Sequence, residues 1–131
     1  MNDAISNIIK DFNELIEKFM LRLARIDSNS VIANNMSYIT TLMKQTPKKL
    51  IEIFVVYILA DKDKIDKGDD EYFLNKTYYQ ESNGEKGMLS KVFELKKIWL
   101  KIGADDKKII IKYMQLLCRY AEEYFFLIHQ T

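Results

Sequence analysis

Apolar residues return at three- and four-residue steps from Asp3 to about Ala24: Ile5, Ile8, Ile9, Phe12, Leu15, Ile16, Phe19, Met20 and Leu23. On a helical wheel they fill an arc of roughly 140°, with Lys10, Asp11, Glu14, Lys18 and Arg22 opposite, which predicts an amphipathic helix with one buried side. The cluster Asp27-Ser28-Asn29-Ser30 supplies short oxygen-bearing side chains suited to capping. Val31, Ile32, Met36, Ile39, Leu42 and Met43 predict a second helix after it. Thr46-Pro47 predicts the start of a third, with Thr46 as N-cap and Pro47 at the first helical position, where its missing N–H costs nothing.

The run from Leu50 to Leu59 is apolar nearly all round and reads as a buried helix or, from its β-branched content, as a buried strand. Helix is preferred, because no second strand-like run offers the hydrogen-bond partners a lone strand needs. Residues 61–87 then break the pattern, punctuated by Gly68, Asn83-Gly84 and Gly87. Within them Asp69 to Leu74 predicts one short capped turn, and Tyr72, Phe73, Tyr78 and Tyr79 predict a connection tacked onto the body.

A fourth helix is expected over about Lys86 to Lys101, with Met88, Leu89, Val92, Phe93, Leu95 and Trp99, ending at a left-handed Gly103. The last, about Asp105 to His129 with Asp105 as its cap, would be about 37 Å long. Its apolar arc, from Leu116 through Leu127, Tyr120, Tyr113, Tyr124, Leu117, Ile110, Met114, Phe125 and Cys118 to Ile111, covers about 220°, the mark of a central helix. The polar strip holds Lys108, Lys112, Gln115, Arg119, Glu122 and Glu123, and Phe126 falls among them. A large aromatic on a solvated strip points to a partner contact. The pattern predicts an all-α, single-domain bundle over residues 1–131, of about five helices, whose first, third and last supply the centre.

Composition narrows what such a bundle does. Twenty Lys and Arg nearly balance 19 Asp and Glu, so no overall field draws the chain to polyanions or anionic membranes. The balance is uneven: residues 1–60 hold seven basic and six acidic side chains, 61–87 five and eight, and 88–131 eight and five. A lone Cys118 forms no internal disulfide, and no basic-then-apolar leader opens the chain, so a reducing, intracellular compartment is expected. The longest strong apolar run, Ile53 to Ala60, falls well short of the ~20 residues of a bilayer span.

One His, one Cys, one Pro and four Gly leave little for nucleophilic catalysis or phosphate loops. Cys118 and His129 nearly share an angular position on the last helix, but its rise separates them by ~16 Å, so Cys118 reads as a core residue and His129 as a dipole-favoured terminus. From Asp61 to Glu71 carboxylates alternate with lysines, yet a calcium loop starting at Asp61 would place Ile65 at its fifth position and Asp66 where glycine is required. A di-metal bundle enzyme needs two Glu-x-x-His pairs, which one His cannot supply. No cofactor, metal or small-molecule substrate is expected. The leading expectation is a non-enzymatic protein–protein contact or structural accessory role, to another protein or to a second copy, through Tyr72, Phe73, Tyr78 and Tyr79, with Phe126 as a further candidate. The alternative is a nucleic-acid contact through Lys96, Lys97, Lys101, Lys107, Lys108 and Lys112 around the junction of the last two helices.

The stretch Thr46-Pro47-Lys48-Lys49-Leu50-Ile51-Glu52-Ile53-Phe54, then Asp63-Lys64-Ile65, Asp70-Glu71-Tyr72-Phe73-Leu74-Asn75-Lys76 and Lys112-Tyr113-Met114-Gln115-Leu116-Leu117, resembles a pattern in small uncharacterised helical proteins of large nucleocytoplasmic DNA viruses. The chain departs from it at Ile111, where those proteins tend to carry Trp, and at Ala60-Asp61, where they carry Pro-Tyr. The resemblance implies a virus-encoded accessory or virion-associated protein, in host cytoplasm or particle, with no transferable active site.

Overall fold

A computed structural model describes residues 3–28, 31–75 and 95–130, and among them every regular element is helical. The order is α1 (Asp3–Ile26), α2 (Val31–Asn34), α3 (Met36–Gln45), α4 (Lys49–Tyr57), a 3₁₀ turn (Leu59–Asp61), α5 (Lys62–Lys67), α6 (Asp70–Asn75), α7 (Lys96–Trp99) and α8 (Ala104–Ile128). The expected all-α class and the helical state of residues 50–57 are both observed.

The core forms where apolar stripes meet. Helix α1 buries Ile8, Phe12, Ile16, Phe19, Met20 and Leu23, the stripe its periodicity predicts. It lies antiparallel along α8: Phe19 stacks on Tyr113 with ring centroids 5.0 Å apart, and one turn further Arg22 meets Asp106 at 3.4 Å. Helix α4 closes the other side, with Phe54 set edge-on to Phe12 at 5.5 Å. The first, third and last predicted helices, observed as α1, α4 and α8, therefore supply the centre.

Several boundaries differ from expectation, each for a local reason. The second predicted helix is two pieces, α2 and α3, divided at Asn35. Thr46 does not cap α4. Its backbone N–H and its Oγ1 both donate to the Leu42 carbonyl, at 2.8 and 3.1 Å, so the hydroxyl closes α3 instead. Pro47 lies in the intervening turn, and α4 starts two residues late. Gly103 is extended (φ −89°, ψ −178°), not left-handed, and it rather than Asp105 precedes α8 as N-cap. Asp105 and Asp106 still complement the dipole of the first turn.

Residues 62–67 are helical where an irregular connection was expected, and the short capped turn expected over Asp69 to Leu74 is observed as α6. Gly68 makes this possible: at φ +63° it ends α5 in the left-handed region, and Asp69 opens α6 by accepting the Glu71 N–H on Oδ1 at 3.0 Å. Gln115 on α8 donates from Nε2 to the Ile65 and Asp66 carbonyls at 3.3 and 3.1 Å, fastening the end of α5. The remainder of the predicted connection, 76–87, and most of the predicted fourth helix, 86–94, lie outside the described residues.

Candidate functional site

The aromatic residues proposed as a presented surface part ways. Tyr72 and Phe73 are 8% and 3% exposed, which corrects their assignment to a contact surface. Gly68 reverses the chain and the Asp69 cap starts a helix whose inner face carries both rings onto Trp99 and the 3₁₀ turn. Phe73 stacks on Trp99 at 4.6 Å, and Tyr72 donates its hydroxyl to Asp61 Oδ2 at 3.0 Å. They anchor the connection to the core. Tyr78 and Tyr79 lie outside the described residues.

Phe126 stays on the surface, 63% exposed, on the face of α8 that carries Arg119 and Glu123. Phe125, beside it, is 44% exposed, and Ile128 is also open. These margins narrow the packed arc of α8 relative to the wheel: Ile110, Met114, Leu117, Cys118, Ala121 and Tyr124 are buried, whereas Leu116 and Phe125 are not. Elsewhere Val56 and Leu100 are exposed on other elements, and single exposed apolar side chains are ordinary. The end of α8 is different because three such residues fall within four positions.

His129 finishes this helix with its Nδ1 2.8 Å from the Phe125 carbonyl oxygen and its ring centroid 4.2 Å from that of Phe125. The imidazole thus serves an end carbonyl and covers part of an aromatic ring. Cys118 is enclosed, and burial first, then the negative charge of Asp66, pushes its thiol up to about 12. The continuous helix keeps the two apart.

The basic patch is partly committed to the fold. Lys101 Nζ pairs with Asp27 Oδ2 at 2.9 Å, and Lys107 Nζ lies 5.5 Å over the Trp99 ring. Lys108 and Lys112 are exposed on α8, and Asp105 and Asp106 lie in its first turn just before Lys108. Lys96 and Lys97 lie on α7, but their side chains fall outside the described set.

Several clefts open on the surface of the described residues. Between α1 and α3 an open cleft of about 300 Å³ is lined by Ile9, Asn13, Thr40 and Met43, among others. Asn13 Nδ2 donates to the Pro47 carbonyl at 2.7 Å, while its Oδ1 is buried without a partner. Between α5 and α6 a cleft of about 350 Å³, wide open to solvent, is lined by Asp61, Asp69 and Glu71 with Lys64, Tyr72 and Asn75. Asp61 is held by Tyr72 and Asp69 by the start of α6, so these carboxylates serve the fold. Among the described residues no three His, Cys, Asp or Glu side chains are placed to hold a metal ion, and no helix is long and apolar enough to cross a membrane. No protein family, curated protein or solved structure matches the chain.

Proposed function

We propose that this chain is a non-enzymatic protein-contact module that presents the last turns of α8 to another polypeptide. The observation carrying this reading is Phe126: a ring 63% exposed on a charged strip, next in sequence to the 44% exposed Phe125. Aromatic side chains enclosed by a partner give up more unfavourable hydration than any other residue of that strip, and they dominate contact energies. The occupation of Cys118 by packing and of His129 by a backbone carbonyl supports binding over chemistry. An intracellular setting and an accessory role in viral infection belong to the same proposal, on the lone cysteine and on the sequence resemblance. The nucleic-acid alternative has less support, since Lys101 and Lys107 already have partners and Asp105 and Asp106 sit directly before Lys107 and Lys108.

The test is affinity purification of the tagged chain from cells that express it, beside a Phe126→Ala variant. A protein recovered with the wild type and lost with the variant supports the reading. Equal recovery with both, or none with either from a chain that also stays monomeric, overturns it.

A further inference from the structure

Lys112, Leu116, Arg119, Glu123 and Phe126 recur along α8 at steps of four and three, and all five are exposed. Such steps keep side chains within about 40° of one line, so the five form a single stripe ~21 Å long. An alternating four-and-three stripe is the geometry along which two helices lie side by side.

We propose that this stripe takes a second copy of the chain in antiparallel register about a two-fold axis near Ala121. The proposal rests on the reading of Phe126 as a contact residue and names its partner. Charge complementarity fixes both occupant and direction. An antiparallel alignment that sets Arg119 beside Glu123 of the second copy also sets Leu116 against Phe126, and two-fold symmetry makes each pair twice. Opposite charges meet at the centre, and apolar pairs close over them on either side. A parallel alignment would bring Arg119 onto Arg119 and Glu123 onto Glu123. Among the described residues neither Arg119 nor Glu123 forms an ion pair within its own chain, so both are available. Four apolar side chains make a seam smaller than a standard interface, so the dimer assembles at micromolar to millimolar concentration.

Sedimentation equilibrium of the full chain tests this. The wild type is expected to rise with concentration from 15.5 kDa toward twice that mass. Arg119→Glu alone and Glu123→Arg alone each place like charges across the axis and weaken association on the order of tenfold. The double swap restores opposite charges and brings association back toward wild type. Helical circular dichroism unchanged in all three shows that the exposed positions left the fold intact. A wild type monomeric at every concentration overturns the proposal, and so does a double swap no better than the single variants. A monomer that keeps a Phe126-dependent partner in cells overturns self-pairing alone. A monomer without one overturns both readings.

Discussion

Trp99 lies flat on Phe73, with ring centroids 4.6 Å apart and planes 20° from parallel, and its Nε1–H donates to Asp70 Oδ1 at 3.0 Å. With Lys107 over the indole, this one side chain joins α6, α7 and the first turns of α8. Phe73→Ala removes a buried ring from that stack and is expected to cost about 3–5 kcal/mol. Trp99→Phe retains one aromatic ring but loses the hydrogen bond and leaves part of the buried indole site empty, at about 2–3 kcal/mol. Urea midpoints followed by circular dichroism distinguish the two, and in Phe73→Ala the fluorescence of the single tryptophan gives a second probe.

The same pair shows where sequence reading reached its end. The α1 stripe was legible because six buried residues share one periodicity, and Phe126 stood out because it fell among charges. Tyr72 and Phe73 were readable both as anchors of the connection and as a presented surface, because anchoring and presenting demand the same residue types, and their burial decides for anchoring. What turns them inward is the reversal at Gly68 and a tryptophan more than twenty positions away. Thr46 was ambiguous for a related reason, since a hydroxyl serves the helix before it as readily as the one after it. The pairing of α8 with α1, by contrast, follows from long matched apolar faces that have few other places to go.

Cys118 predicts a pH dependence of stability. Its folded thiol ionises near 12 against an ordinary value of 9.0, raised first by burial and then by Asp66, with Glu122 and Asp61 adding and Lys62 opposing. Between those values the unfolded chain has lost a proton the folded one keeps, so stability falls as pH rises, by up to about 1.4 kcal/mol per pH unit. Below pH 9 this contribution is fully present. Tyr124, raised by burial and then by Glu52, acts in the same direction. The difference in urea midpoint between wild type and Cys118→Ala, measured from pH 8 to 10.5, isolates the thiol and should shrink as pH rises. Native protein is also expected to resist iodoacetamide that labels the unfolded chain rapidly.

Two glycines separate conformational need from mere presence. Gly68 holds φ +63°, and a Cβ there would meet Ile111 Cδ1 at 3.5 Å, an ordinary contact. The cost of Gly68→Ala is therefore the left-handed backbone alone, about 1–2 kcal/mol. Gly103 occupies the extended N-cap of α8 with no side-chain cap and open space around it. Gly103→Ser supplies the missing acceptor for a first-turn N–H and is expected to raise stability by a few tenths of a kcal/mol. Thermal or denaturant midpoints should thus move in opposite directions for the two variants.

Phe126 must be dispensable to the fold if it is a contact residue. With most of its ring in solvent, Phe126→Ser is expected to change unfolding free energy by no more than about 0.5 kcal/mol. Tyr72→Ala, which empties a site in the core and removes the hydrogen bond to Asp61, should cost about 3 kcal/mol or more. Denaturant titration of the two variants side by side makes the comparison. A large loss for Phe126→Ser would mean that the ring packs against its own chain, and the helix end would then be part of the scaffold, not its outward face. A negligible loss joined to weaker association separates the residue that meets a partner from those that hold the bundle together.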